Sequence, residues 1–160
     1  MNKLFRTLFA VPVFVFGIAN IAHAGLVNGG FEFPVIPANT YGNVAEGTPG
    51  LGWQTTATDN QIELWHQPFN GVPAYEGEQF AELNANQVSN LYQEVSGIAA
   101  DAIVGWEFAH RGRDGVDTIG LQITDLGLDN IFGTLDDSQL YYNTFSDGNT
   151  AWGFYQGTGL

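Results

Sequence analysis

Carboxylates are the commonest reactive groups in this 160-residue chain, with 17 Asp and Glu against four Lys and Arg. Glu63, Glu82 and Glu107 fall in segments that read as strands, and two such groups facing one cleft are what glycosidic hydrolysis needs, set about 5–10 Å apart. With so many acids a pair of this kind arises by chance, so the chain reads as noncatalytic. His66 and His110 are far apart, with no second histidine at metal-binding spacing. There is no glycine-x-serine-x-glycine elbow and no phosphate-cradling glycine loop. The absence of cysteine removes disulfides, thiolate metal sites and a thiol nucleophile.

Two noncatalytic chemistries remain. Between Asp125 and Asp137 carboxylates stand at Asp125, Asp129, Asp136 and Asp137 around Gly127 and Gly133. Calcium takes six to eight oxygens, and clustered aspartates on a glycine-bearing loop can supply several; a solvated acidic hairpin is the alternative. The segment is similar to the aspartate-glycine insertions of exported bacterial proteins, and it lacks the aspartate spacing and closing glutamate of an EF-hand. The other chemistry is sugar binding, in which an aromatic platform and a few polar groups hold a neutral ring. Trp65 and Tyr75 are the stacking candidates, with Glu63, His110, Arg111 and Arg113 as the hydrogen-bonding set. For Arg111 and Arg113 an ion pair with Glu107, Asp114 or Asp117 is the alternative reading.

The N-terminus supplies an address. Lys3 and Arg6 precede an apolar run from Leu8 to Ile21, and Ala22-His23-Ala24 offers a small-x-small exit before Gly25. That pattern is a secretory signal over residues 1–24; Pro12 and Asn20 interrupt the run, which is short for a bilayer span. Export to the periplasm, the cell surface or the medium is expected, with no membrane span after cleavage. Cleavage leaves Arg111 and Arg113 against all 17 acids, a net charge of −15. Such a surface repels nucleic acid, which needs a basic footprint. It suits neutral sugars, cations or simple solubility. Hydrophobic residues at 44% and aromatics at 14% are enough for a packed core.

Positioning these groups falls to strands. Apolar residues alternate with polar ones in short runs separated by Gly, Pro, Asn and Asp. In 103–109 Val104, Trp106 and Phe108 share a face, and in 118–124 Ile119, Leu121 and Ile123 do. Ile62 and Leu64 alternate with Glu63 and Trp65, which turns Trp65 outward; Leu91, Gln93 and Val95 alternate with Tyr92 and Glu94. Weaker strand signals lie at 26–33, 80–83, 139–142 and 151–155, and a marginal helix at 81–88. Many short strands with even turn spacing predict an all-β fold, an antiparallel β-sandwich or jelly roll. No internal repeat or linker divides residues 25–160.

Four motifs occur in order: Val27-Asn28-Gly29-Gly30-Phe31-Glu32-Phe33-Pro34 followed by Gly52-Trp53; Ile62-Glu63-Leu64-Trp65 with Phe80-Ala81-Glu82-Leu83; Leu91-Tyr92-Gln93-Glu94-Val95; and Trp106-Glu107-Phe108-Ala109-His110-Arg111-Gly112-Arg113. In this succession residues 26–124 resemble the galactose-binding-like β-sandwich domains of secreted bacterial proteins, relatives of jelly-roll carbohydrate-binding modules. The resemblance implies a noncatalytic module that binds carbohydrate or another cell-surface polymer, without naming the ligand or the oligomeric state. A structural or adhesive domain that binds protein, and a secreted glycoside hydrolase, are the alternatives. It also implies that Glu32 ligates a structural cation, a solvated strand-edge carboxylate being the other reading. Similar domains close with a late strand bearing an aspartate-aspartate-valine-like signature, and no such signature follows Tyr155. The expectation is therefore a galactose-binding-like domain over residues 25–160 that lacks its closing strand.

Overall fold

The computed structural model describes residues 3–8, 25–99 and 101–158. The expected signal segment lies outside these except for Lys3–Leu8. The chain is all-β, with antiparallel pairing throughout the described residues and no α-helix among them. It divides into two compact units, Leu26–Tyr92 and a second that contains Gln93–Leu160 together with Lys3–Leu8.

In the Leu26–Tyr92 unit, strands β2 (Tyr41–Ala45), β4 (Gln61–His66) and β5 (Gln79–Glu82) form a sheet in the order β2-β4-β5. The two-residue β3 (Gln54–Thr55) pairs with Leu91 and Tyr92, where β6 (Leu91–Ile98) begins. Because side chains alternate along a strand, Val44, Ile62 and Leu64 face one side of the sheet. There they join Phe31, Ile36, Leu51, Trp53 and Leu91 in one buried cluster. Phe31 stacks on Trp53 at 5.0 Å, and both are 1% exposed.

The segment opposite this sheet is held by amides rather than by strand pairing. The expected strand at 26–33 is a turn instead. Asn28 takes a φ of 52°, a region Asn tolerates because its short side chain bonds locally. Its amide donates to the carbonyls of Phe33 (2.6 Å) and Leu51 (3.1 Å) and accepts from Phe33 N–H, while Trp53 Nε1 donates to its backbone carbonyl. Gln79, 3% exposed on β5, accepts from Ile36 N–H at 2.5 Å. Its amide nitrogen donates to the carbonyls of Phe31 (2.7 Å) and Pro34 (3.1 Å). The expected helix at 81–88 is also absent. Strand β5 ends at Glu82 and turns follow, with Asn84 at a φ of 63° that breaks any helical run.

In the other unit, β1 (Lys3–Leu8) pairs with Gln93–Ile98 of β6 on one side. On its other side it pairs with β8 (Asp117–Asp125), which pairs in turn with β9 (Ser138–Asp147). Strand β7 (Gly105–His110) pairs with β10 (Gly153–Thr158). The two layers meet face to face through aromatics. Trp106 packs on Tyr141 and Phe145, and Phe108 and Tyr155 pack on Phe145, with centroids 4.6–5.9 Å apart. Leu121 and Ile123, both 1% exposed, lie on the β8 face that the alternation assigned to the core. Antiparallel sheets packed in this way are consistent with a β-sandwich.

Candidate functional site

The sheet face opposite the core of the Leu26–Tyr92 unit is where chemistry collects. Register places Asn43 beside Glu63, and Glu63 beside Glu82, in a polar row across the three strands. Two residues along, Tyr41, Trp65 and Phe80 form an aromatic row. Side chains directly opposite on antiparallel strands have Cβ atoms about 4.5–5.5 Å apart, so the Glu63 and Glu82 carboxyls share one locality. Asn43, Glu63 and Glu82 line a cleft together with Ile62, Leu83 and Leu91 of the core and residues of the 55–59 and 84–89 segments. The rim is tied by amides: Gln87 Oε1 accepts from the backbone N–H and hydroxyl of Thr58, and Asn86 donates to Asp59 at 3.4 Å. No Lys, Arg or His lines this cleft, so it offers no cationic side chain to an anion.

Glu63 is the expected site residue that lines the cleft, and Trp65 supports it there. The Trp65 indole N–H donates to Glu63 Oε1 at 2.5 Å, which fixes one of its oxygens. The sequence turns Trp65 away from the core, and the structure does place it on that face. Yet the indole is 2% exposed. The Pro68–Gly71 turn folds Phe69 edge-on against it at 4.7 Å, and Phe80 tilts over it at 5.7 Å. It is a floor rather than an open platform. Tyr41, 51% exposed at the end of the same row, is the aromatic whose face a ligand can reach. Tyr75 is 44% exposed on the connection before β5 and does not line the cleft.

His110, Arg111 and Arg113 belong to the other unit and knit its loops. His110 Nδ1 bonds Asp147 Oδ2 at 2.9 Å, and the Tyr155 hydroxyl donates to the same carboxylate at 2.9 and 3.0 Å. Partial burial, then the Asp147 hydrogen bond and charge, push the Tyr155 phenol above its ordinary value. Arg111 donates to the Asn149 carbonyl, and Arg113 N–H donates to Asp117 Oδ2 at 2.7 Å. A Cβ on Gly112 would overlap the carbonyl oxygens of Gly115 and Asp147, so only glycine lets these loops approach so closely. These partners make the 110–117 segment a clasp on the end of β9.

The carboxylates expected to hold calcium are turned onto backbone amides instead. Asp136 Oδ2 accepts from Leu128 and Asp129 N–H, and its Oδ1 accepts from the Thr134 hydroxyl at 2.7 Å. The Thr134 and Leu128 bonds hold its carboxyl below the usual range. Asp125 accepts from Gly127 N–H, Asp129 from Ile131 N–H and Asp137 from Gly133 N–H. Glu32, in the other unit, accepts from Glu78 and Gln79 N–H at 2.9 and 3.1 Å. A Cβ on Gly77 would overlap its Oε1. Among the described residues no three His, Asp or Glu are grouped to hold a metal ion. The four loop carboxylates and Glu32 are thus each engaged by backbone N–H groups.

Sequence reasoning missed Tyr41, Asn43 and the amide rim. The density of Asn and Gln between Asn84 and Asn90 was the available signal, because such a run disfavours a helix and favours a polar loop. No protein-family model, no curated protein and no solved structure matches this chain.

Proposed function

We propose that this chain is an exported, noncatalytic carbohydrate-binding module whose sugar site is the sheet face of the Leu26–Tyr92 unit that carries Tyr41 and Glu63, beside the cleft. The observation that carries the reading is the polar row Asn43-Glu63-Glu82 laid beside the aromatic row Tyr41-Trp65-Phe80 on one sheet face. A neutral sugar ring has an apolar C–H face that stacks on an aromatic and a rim of hydroxyls that bond carboxylates and amides. Tyr41 supplies the exposed face. Glu63, held by Trp65, accepts from hydroxyls, and Asn43 adds a donor and an acceptor. Export places the module where polysaccharides are met, on the cell surface, in the periplasm or outside the cell. The signal over residues 1–24 supports that placement, with a mature N-terminus at Gly25 as its expected mark; cleavage there removes β1 from between β6 and β8.

Titration calorimetry with neutral oligosaccharides, guided by a glycan array, tests this reading. Binding to at least one neutral glycan, lost in Glu63→Gln and Tyr41→Ala, supports it. Absence of binding, or binding that ignores both changes, rejects it and promotes the structural or adhesive alternative. The Glu63 and Glu82 pairing favours a second reading, a glycoside hydrolase, because two carboxyls side by side are that chemistry's requirement. Release of reducing ends that Glu82→Gln abolishes would establish it.

A further inference from the structure

Strand β9 is a long strand with one open edge. It pairs with β8 from Asp117 to Asp125, and among the described residues no strand pairs with its other side. An unpaired row of N–H and C=O groups templates another strand, and proteins usually blunt such edges with charge, proline or bulges. From Ser138 to Ser146 this strand has no charge, proline or glycine, although the whole chain carries 17 acids. Its one device is a bulge: Tyr141 opposes Ile123 and Gln139 opposes Thr124, so Leu140 is the extra residue. Beyond it, Tyr141–Asp147 continues in unbroken register for seven residues, about 23 Å of regular edge. The Tyr142 ring lies over Gly120 on β8, within 3.2 Å of where a Cβ would stand. It therefore covers the sheet face and not the open edge.

We propose that this edge pairs with the same edge of a second copy of the chain, antiparallel, about a two-fold axis through Thr144. Self-complementarity identifies the occupant. A pairing centred on Thr144 sets Thr144 against the partner's Thr144, Tyr142 against the partner's Ser146, and Asn143 against the partner's Phe145. Asp147 then meets the partner's Tyr141. Thr–Thr and aromatic pairs stabilise such ladders, whereas like charges directly opposite oppose them. A pairing centred on Tyr142 would set Asp147 against the partner's Asp137, so charge selects the Thr144 register. The contact is isologous and closed, giving a dimer and not a fibre. Because each copy carries a net charge of −13 or more negative, the copies repel at long range, and salt must strengthen the association.

The chain contains no cysteine, so introduced thiols report register without background. Opposite residues of an antiparallel pair lie within disulfide reach. On mild oxidation Thr144→Cys forms a covalent dimer. Tyr142→Cys and Ser146→Cys cross-link poorly alone and efficiently when mixed. In sedimentation equilibrium the unmodified protein dimerises more tightly as salt rises from about 10 mM to about 1 M. Thr144→Lys, a substitution on an exposed side chain, weakens the dimer roughly tenfold or more with an unchanged melting temperature for the monomer. A protein that stays monomeric at every salt concentration, or a dimer that Thr144→Lys and the thiol pairs do not register, overturns the proposal.

Discussion

Replacing Gln79 by Leu removes a buried clamp and tests whether amides, rather than strand pairing, hold the segment opposite the β2-β4-β5 sheet. The side chain is 3% exposed and serves three backbone groups: Ile36 N–H, Phe31 C=O and Pro34 C=O. Leucine is close in volume, so little cavity forms and the loss is polar. An unsatisfied buried donor costs about 1–3 kcal/mol, and Ile36 N–H donates to Gln79 Oε1 in buried surroundings. The two carbonyls cost less each, because a carbonyl tolerates partial satisfaction better than an N–H. The sum is about 3–4 kcal/mol, a large share of the roughly 5–15 kcal/mol that stabilises a domain. Urea unfolding followed by tryptophan fluorescence reads it, since Trp53 lies in the same cluster. The midpoint falls while the slope stays constant. Gln79→Glu keeps the acceptor for Ile36 and loses the donor, so it separates the two sets of bonds. A loss below about 1 kcal/mol for Gln79→Leu, no larger than for an exposed site, would refute the reasoning.

Trp53→Phe keeps the stack on Phe31 but loses the indole bond to Asn28, and the same unfolding assay should show a loss of about 1–2 kcal/mol. Tyr155→Phe should lower stability at neutral pH, by removing the bonds to Asp147, and remove part of the alkaline sensitivity. Because the folded phenol is raised above its ordinary value, its contribution is complete below about pH 10 and fades as pH climbs through the folded value. Phenolate absorbance of the wild type should show a late-titrating component from Tyr155 that vanishes in the variant. Asp136, held below the ordinary carboxylate value by Thr134 and Leu128, contributes above about pH 4 and loses that contribution as pH falls; Asp136→Asn should flatten the acid limb of thermal melts. With the loop carboxylates already on its own amides, chelator and millimolar calcium should give the same melting temperature, since a ligand of the native state must raise it.

The alternation of Ile119, Leu121 and Ile123, and of Trp106 with Phe108, was readable because a two-residue period in apolar side chains specifies a half-buried strand. Trp65 shows where that logic stops. Period two assigns its side of the sheet correctly, but only the fold of the Pro68–Gly71 turn, which brings Phe69 over it, decides that the indole is covered. Gln79 and Asn28 were illegible for a related reason. A buried amide earns its place through partners 43 to 48 residues away for Gln79, and sequence spacing carries no trace of them. The acidic loop was legible as a cluster of carboxylates, but the Asp-to-amide turns that engage those oxygens were not, since they depend on the local backbone path. Tyr41 escaped notice because the short Tyr41–Ala45 strand has too few apolar positions to show a period. Its place beside Trp65 is a matter of cross-strand register.

The central claim is that one sheet face of the Leu26–Tyr92 unit binds neutral sugar through Glu63 and Tyr41. The most direct measurement is calorimetric affinity for the best array glycan across wild type, Tyr41→Ala, Glu63→Gln and Trp65→Phe. Trp65→Phe removes the indole N–H that holds Glu63 while keeping an aromatic floor. The account predicts that the first two changes each cost about 1–3 kcal/mol of binding. Trp65→Phe should cost less than Glu63→Gln, and nothing when added to it, because it acts through that carboxylate. Equal affinity in all four proteins, or a full additive loss from Trp65→Phe on top of Glu63→Gln, would contradict it.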